Sequence, residues 1–367
     1  MFKYLNSYMI HALVVFSGGL DSILVVKILE EQGIKVTALS FESYFFDTEE
    51  SKKTAEQLGI DLIVKDISDD QLDTVKNPAH GYGSALNPCI DCHGLMFRVA
   101  GELVKLTTSD GKKFDIIATG EVLGQRPFSQ NSASLKKVEK LAGVDILRPL
   151  SAKLLPRTSY EEQGLVNREK LLDISGKSRR RQLELVEEYG VEYYPSPAGG
   201  CRLTENEFGI KVKQLLENDG KDRELSKVDF ELLRVGRHYW LRQDTRHKIQ
   251  DTSLTGRQAT KSQSPKPKQY FKEQNSSSKK SKYEQQANTH IILGKNHEEN
   301  QQLKKSVEEG DALIELKDVM GPVALIFRKE GADTKENEEL MNKVKRLMLD
   351  RTKSQDKNIE DVEWISN

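Results

Sequence analysis

The cysteines of this chain have a spacing that is typical of thiols with a chemical task. Cys89 and Cys92 form a C-x-x-C pair within Asn87-Pro-Cys-Ile-Asp-Cys-His93, and Cys201 follows much later in the chain. An odd number of cysteines without an export signal argues against a disulfide framework. Three thiolates can bind three irons of a [4Fe–4S] cluster and leave the fourth iron open, where it could carry sulfide to an activated carbon.

The same residues allow other chemistry. Cys89 and Cys201 could instead act as a persulfide donor and its resolving partner. With His93 as a fourth ligand, the thiols could hold a structural zinc ion, or they could simply be buried. We favour the cluster, with Cys89, Cys92 and Cys201 as its ligands. The small residues 198–200 would let the backbone approach such a cluster closely.

A second candidate site is the string Phe16-Ser-Gly-Gly-Leu-Asp-Ser22, between a predicted strand and a predicted helix. Glycines let the backbone fold around phosphate oxygens, and a helix that begins near Asp21 adds amide donors and the positive end of its dipole. Ser17 and Ser22 can donate hydroxyl hydrogen bonds to the same oxygens. The string lacks the Gly-Lys-Ser/Thr ending of a Walker loop, which disfavours a kinase or ordinary NTPase. The structural alternative is a plain Gly-Gly turn.

The elements that position these residues follow an alternating pattern. Strands are predicted at 12–16, 36–41, 62–67 and 115–119, and helices at 21–32, 48–59 and 94–106. Strands that alternate with helices predict an α/β fold with a doubly wound parallel sheet, whose ligands lie beyond the carboxyl ends of the strands. Helical patterns then occupy about 157–217, with Leu183, Val186 and Tyr189 spaced for one face.

The composition changes in the last third of the chain. Between Thr255 and Ala287 there is no Ile, Leu, Val or Met, and eight basic residues stand against two glutamates. This predicts a disordered basic insertion at 251–287. Strand patterns return at 290–293, 312–316 and 323–327, and helical patterns at 298–310 and 336–349, which predicts a small α+β domain.

The loop Ser17-Gly-Gly-Leu-Asp-Ser22 resembles the pyrophosphatase loop of the adenine-nucleotide α-hydrolase-like (PP-loop) superfamily. Members of that superfamily cleave ATP between the α and β phosphates and form adenylated intermediates. Asn87-Pro-Cys-Ile-Asp-Cys92 resembles the catalytic segment of tRNA 2-thiouridine synthases, and the segments 118–130 and 146–151 resemble tRNA 4-thiouridine synthases. The resemblance covers about residues 12–215. It implies a tRNA sulfurtransferase that adenylates a uridine and replaces its carbonyl oxygen with sulfur, taken from sulfide or from a donor protein.

The resemblance also implies a set of cofactors. ATP would bind over the loop with Mg²⁺ bridging its phosphates, and Asp21, Cys89 and Cys201 would be the catalytic residues. The chain shows neither the THUMP-type region nor the rhodanese region of 4-thiouridine synthases, which favours the cluster over a rhodanese relay. The expected nucleotide-binding residues are Ser17, Gly18, Gly19, Asp21 and Ser22 in the loop, Ser40 and Phe41 near the adenine, and Gly120 and Glu121 at the end of the fourth strand.

The C-terminal segments 235–241, 290–300, 309–315 and 320–325 resemble the small RNA-binding module of NFACT-type proteins. The expected domains are a nucleotide-hydrolase domain at 1–155, a helical extension with the third cysteine at 156–220, the RNA-binding module at 221–350, and a polar tail at 351–367. Tyr239 and Trp240 lie among basic residues, so they could stack on bases or belong to the core. A basic cluster at 177–181 (Lys177, Arg179, Arg180 and Arg181) could contact RNA or form a solvated face.

Bulk properties narrow the function only a little. The net charge is −1, so any basic surface must be local. The apolar runs are too short for a membrane span, and we expect a cytoplasmic protein that binds tRNA and no membrane. A homodimer is left open. Two other functions use the same features: a PP-loop synthetase or amidotransferase acting on a small molecule, and a non-catalytic RNA-binding protein with a structural metal.

Overall fold

The computed structural model describes residues 9–105, 113–196, 200–219, 224–243, 249–251, 288–308, 310–316, 321–327, 338–352 and 362–365. The chain divides into two compact units, Met1–Thr204 and Glu205–Asn367. The range 156–220, expected to form one helical extension, therefore has residues in both units. The basic stretch 252–287 and the residues 197–199 before Cys201 lie outside the described residues.

The first unit is built on a parallel sheet with the strand order β3-β2-β1-β4. The central strand β1 is apolar at nearly every position, because helices cover the sheet on both sides. Ala12 and Val14 pack in one apolar cluster and Leu13 in the other, as the alternation of side chains along a strand requires. The strands are β1 (His11–Val15), β2 (Lys35–Glu42), β3 (Asp61–Asp66) and β4 (Ile116–Thr119).

The helices of this unit divide between the two faces. The cluster that contains Val14 also contains Ile23 of the first helix and Leu185 of the seventh, and the cluster that contains Leu13 includes Leu95 and Val138 of the fourth and fifth. The expected doubly wound α/β architecture is confirmed. The helices are α1 (Leu20–Glu30), α2 (Glu49–Leu58), α3 (Ser68–Lys76), α4 (Cys89–Lys105), α5 (Ser132–Ala142), α6 (Ser159–Glu162) and α7 (Arg180–Glu188).

Two helices differ from the expectation. The helix expected at 94–106 begins at Cys89, where Pro88 accepts a hydrogen bond from the backbone of Cys92 and so starts the first turn. Both cysteines of the C-x-x-C pair therefore lie in helical backbone. In α7 the buried face is formed by Gln182, Leu185 and Val186, while Leu183 is 43% exposed.

The second unit contains an antiparallel sheet with the order β10-β8-β9-β7-β5-β6, which confirms a second, smaller α+β unit. Trp240 is fully buried and Tyr239 is 4% exposed, so both belong to the core and neither offers a ring for base stacking. The elements are α8 (Asn206–Asn218), α9 (Lys227–Leu232), β5 (Arg237–Gln243), β6 (Ile249–Asp251), β7 (Asn288–Leu293), α10 (His297–Lys305), β8 (Ala312–Leu316), β9 (Ala324–Phe327), α11 (Glu338–Leu349) and β10 (Val362–Ile365).

The structure contains no helix, among the residues it describes, that is long and apolar enough to cross a membrane.

Candidate nucleotide and thiol site

The candidate residues gather at the carboxyl edge of the parallel sheet. The Ser17–Ser22 loop follows β1, the turn at Ser43–Phe46 follows β2, and Gly120 and Glu121 follow β4. Gln71, in the helix after β3, contacts one of the cysteines. Because all strands of the sheet are parallel, these segments share one edge, which is where ligands of such sheets bind.

The loop has the geometry of a phosphate cradle. Gly18 has a φ of +73°, and a Cβ there would lie 2.6 Å from the carbonyl oxygen of Glu50, so only glycine fits between β1 and the start of α2. Gly19 is the N-cap of α1 and has no side chain to cap the helix. The free amide groups at the start of α1 must therefore find acceptors in a ligand or in water. Ser22 Oγ donates to the carbonyl of Gly19 at 2.8 Å. The exposed Ser17 Oγ accepts a hydrogen bond from the amide of Gly19 at 3.3 Å.

Asp21 lies at the centre of a polar network that joins three elements. Its carboxylate accepts hydrogen bonds from Gln125 Nε2 at 2.7 Å and from Gln182 Nε2 at 3.4 Å. Gln182 also donates to Gln125 Oε1 at 3.2 Å, and Arg179 Nη2 lies 3.9 Å from the carboxylate. The segment after β4 and the start of α7 therefore both hold the loop residue that the sequence marks as catalytic.

Each cysteine of the C-x-x-C pair receives a hydrogen bond from an amide side chain. Asn87 Nδ2 donates to Cys89 Sγ at 3.1 Å, and the buried Gln71 Nε2 donates to Cys92 Sγ at 3.2 Å. Cys89 is half-buried and Cys92 is 7% exposed. Burial raises the pKa of Cys92 well above its usual range, and negative charge on Cys201 or Cys89 would raise it further.

The structure brings the third cysteine to the other two. The charges of Cys201 and Cys89 both act on Cys92, so the chain does return residue 201 to the C-x-x-C pair. Its position is fixed by the amide of Arg202, which donates to the carbonyl of Phe45 at 3.1 Å in the turn after β2. Among the described residues, however, no group of three His, Cys, Asp or Glu side chains is arranged to hold a metal ion.

A buried ion pair ties the thiols to the end of β4. Glu121 accepts from His93 Nδ1 at 2.7 Å through one oxygen and from Arg148 Nε at 3.0 Å through the other. Burial alone would raise the pKa of Glu121, but the charge of Arg148 and the hydrogen bond from His93 outweigh it and lower this pKa to about 2. The carboxylate is therefore ionised and can only accept, so His93 donates from Nδ1 and keeps Nε2 as its basic nitrogen when neutral.

The remaining residues expected at the nucleotide have mostly structural contacts. The hydroxyl groups of Ser40 and Ser51 hydrogen-bond to each other at 2.7 Å in the interior, and Phe41 packs in the apolar cluster under α4. The side chains of Ser40 and Phe41 thus have interior partners, and the position of the adenine near the end of β2 stays a prediction. At Gly120 a Cβ would lie 2.8 Å from the backbone of Asp21, so this glycine allows β4 to end directly against α1.

Several site residues were missed because they are amides or lie in segments without a periodic pattern. Gln71 contacts Cys92, a predicted cluster ligand, and Arg148 pairs with Glu121. Gln125 and Gln182 both contact the candidate catalytic residue Asp21. Gln125 and Arg148 do lie inside the strings 118–130 and 146–151 that carry the resemblance to thiouridine synthases. Gln71 has no comparable signal in the sequence.

No protein-family model and no curated protein sequence matches this chain. Among solved structures, a predicted subunit of a tRNA methyltransferase from Methanocaldococcus jannaschii is 19% identical, with a TM-score of 0.29; the match covers 38% of this chain and 69% of that one. A 4-thiouridine synthetase solved with RNA and ATP is 17% identical, with a TM-score of 0.30; the match covers 49% of this chain and 51% of that one. The chain thus spans about half of that synthetase, and likenesses at such TM-scores say nothing about what this chain does.

Proposed function

We propose that this chain is a PP-loop enzyme that adenylates a uridine of tRNA and replaces the carbonyl oxygen with sulfur. One observation carries the proposal: a loop built to bind phosphate and three converging thiols meet at the same edge of one parallel sheet. A small-molecule synthetase needs the loop but not the thiols. A purely structural thiol cluster would need no phosphate cradle beside it.

The proposed reaction has two bond exchanges. The uridine oxygen attacks the α-phosphorus of ATP, and the bond to the β-phosphate breaks to release pyrophosphate. A sulfur nucleophile then attacks the carbon that bears the adenylate, and the C–O bond breaks to release AMP. The uncapped amides of α1 would stabilise the phosphate oxygens. Asp21 would be the residue that holds Mg²⁺, which would supply further positive charge at the phosphates.

The source of sulfur divides this proposal into two routes. Three thiols suit a [4Fe–4S] cluster chemically, but the described side chains do not form a metal-binding group. As they stand, the cysteines do not fit a cluster, and we assign no step to one. The arrangement favours the persulfide route, in which the half-buried Cys89 and Cys201 act as donor and resolving thiol.

The persulfide route requires a sulfur donor, two thiols of this chain and a reductant. A persulfide-bearing sulfur donor transfers its outer sulfur to the thiolate of Cys89. The outer sulfur attacks the activated carbon and AMP leaves. Cys201 then attacks the inner sulfur, so that thiouridine is released and a Cys89–Cys201 disulfide forms. A small-molecule or protein thiol must reduce this disulfide before the next turnover.

The experiment follows AMP and thiouridine together. Purified protein is incubated with α-labelled ATP, Mg²⁺ and unmodified tRNA, together with a persulfide donor and a reducing thiol or, in a parallel reaction, with sulfide. The tRNA nucleosides are then analysed by mass spectrometry. We expect AMP release that requires tRNA and a uridine that is heavier by one oxygen-to-sulfur exchange. Asp21→Asn should abolish both, whereas Asp70→Asn, an exposed carboxylate on α3, should leave both unchanged.

Other outcomes identify the alternatives. ATP–pyrophosphate exchange without RNA would assign the chain to small-molecule synthetases. RNA binding without AMP formation would make it a non-catalytic RNA-binding protein. Iron analysis of protein purified without oxygen separates the sulfur routes, because a cluster requires about four irons per chain and the persulfide route requires none.

We also propose that the second unit binds the tRNA, as its resemblance to NFACT-type modules suggests. With Tyr239 and Trp240 in the core, the contacts would be ionic rather than aromatic. The basic stretch at 255–287 is the part of the chain that best supplies such charge.

A further inference from the structure

We propose that Arg179, at the start of α7, binds the β- and γ-phosphates of ATP and stabilises the departing pyrophosphate. The inference rests on the proposed function and adds a residue that the loop itself does not contain. Arg179 is the N-cap of α7 and is 27% exposed, and its guanidinium lies 3.9 Å from the carboxylate of Asp21. It is thus a cation placed beside the phosphate loop by another helix.

Its neighbours in the basic cluster point elsewhere. Arg180 is 88% exposed and pairs with Glu184 at 3.1 Å, and Arg181 pairs with Glu184 and Glu188. These are surface ion pairs along one helix and leave little charge for a ligand. Arg179 alone among the three arginines reaches the loop, so the cluster is not a uniform basic surface.

The topology places Arg179 on the side of the loop where pyrophosphate would leave. In the sheet, β1 lies between β2 and β4. The segment before α7 is anchored on the β4 side, where Gly176 N donates to the carbonyl of Leu123 at 2.7 Å. The adenine is expected at the end of β2, so a nucleotide that crosses the loop of β1 directs its outer phosphates toward β4 and α7.

A buried polar atom supports a ligand at this position. Gln182 is fully buried, and its Nε2 donates to Asp21 and to Gln125, whereas its Oε1 has no hydrogen-bond partner. A buried acceptor without a partner destabilises the folded protein, so native sites supply a donor for it. The same amide donates to Asp21, so the unfilled acceptor belongs to the polar network of the loop.

Without nucleotide, Asp21 and Arg179 offset each other's charge. When triphosphate binds, the guanidinium has a stronger partner in the phosphate oxygens, and planar guanidinium groups pair well with phosphate. As the bond between the α- and β-phosphates breaks, negative charge grows on the pyrophosphate. A guanidinium that is already in place therefore stabilises the departing pyrophosphate more strongly than it stabilises bound ATP.

The test compares the affinities of ATP and AMP, because AMP lacks the phosphates that Arg179 would bind. Dissociation constants are measured by calorimetry for wild-type protein, Arg179→Ala, Arg179→Lys and the control Arg180→Ala. We expect Arg179→Ala to weaken ATP about 10- to 100-fold and to leave AMP unchanged. Arg179→Lys should restore part of the difference, and Arg180→Ala should bind both nucleotides like wild type.

Two results would overturn the inference. Equal weakening of ATP and AMP would mean that Arg179 only shapes the loop through Asp21. Unchanged affinity for both would mean that it does not meet the nucleotide. Wild-type protein that binds neither ATP nor AMP would refute the proposed function itself, before any variant is compared. Circular dichroism of each variant shows that it is folded.

Discussion

Replacing Glu121 with glutamine should destabilise the first unit by about 3 kcal/mol at neutral pH. The pKa of Glu121 is lowered from 4.5 to about 2, and each pKa unit corresponds to about 1.4 kcal/mol. The value agrees with the cost of breaking a buried ion pair, about 3–5 kcal/mol, because the substitution leaves Arg148 in the interior with less compensating charge. Glu139, which is 40% exposed and also pairs with Arg148, provides the matched control.

The pH dependence gives this prediction a second readout. A carboxylate whose pKa is lowered by folding stabilises the protein above its unfolded pKa of 4.5, and this contribution is lost as the pH falls toward 2. The stability difference between wild type and Glu121→Gln should therefore be full at pH 7 and shrink below pH 4.5.

Hydrogen exchange of the β1 and β4 amides is the suitable assay, since both tryptophans of the chain lie in the second unit. Glu139→Gln should cost less than about 1 kcal/mol. If Glu121→Gln costs no more than this control, or if its cost is the same at pH 7 and pH 3, the ion pair does not hold the site.

Four further predictions concern other parts of the molecule. Gly18→Ala should cost at least about 1–2 kcal/mol and abolish ATP binding, because its φ is positive and the new Cβ meets backbone; thermal melts and calorimetry test this. Iodoacetamide should label Cys89 well before the buried Cys92, as peptide mass spectrometry would show. Burial lowers the pKa of His238 well below 6.5. Just below pH 6.5 the imidazole therefore binds a proton in the unfolded chain and stays neutral in the folded chain. The second unit should therefore lose stability as the pH falls below about 6.5, measured by tryptophan fluorescence, and His238→Gln should weaken that dependence. Deleting 255–287 should flatten the slope of tRNA affinity against salt, measured by filter binding, because it removes eight cations and two anions.

The sheet of the first unit could be predicted because its strands β1, β2 and β4 are buried at nearly every position. A strand such as β1 is apolar at successive positions, and a Gly-Gly turn followed by a helical period marks where it ends. The start of α4 could not be read in the same way. Cys89, Asp91, Cys92 and His93 are polar or reactive and resemble a loop, although Pro88 begins a helix there.

Side-chain contacts between residues far apart in the sequence could not be predicted, because no local sequence pattern records them. The contact of Gln182 with Asp21 joins residues that are 161 positions apart, and that of Gln125 with Asp21 joins residues 104 apart. Periodicity reports which face of a helix is buried, not which side chain it meets. The same limit explains Trp240: its basic neighbours suggested an RNA contact, whereas the fold buries it in the core of the second unit.

Three helices begin at the edge of the sheet where the proposed reaction would take place. α1 begins within the Ser17–Ser22 loop, α4 begins at Cys89, and α7 begins directly after Arg179, which lies beside Asp21. The N-terminus of a helix favours negative charge. The proposed reaction would place an anion at each of these helix starts: the bound phosphates at α1, a sulfur nucleophile at α4 and the departing pyrophosphate at α7. α1 and α7 share one apolar cluster and α4 packs in the other, so the phosphate and sulfur chemistry would reach the uridine from opposite faces of the sheet. The two sets of residues would then not have to move between the first and the second step. This fits the contacts that link His93, Glu121 and Arg148 at the end of β4.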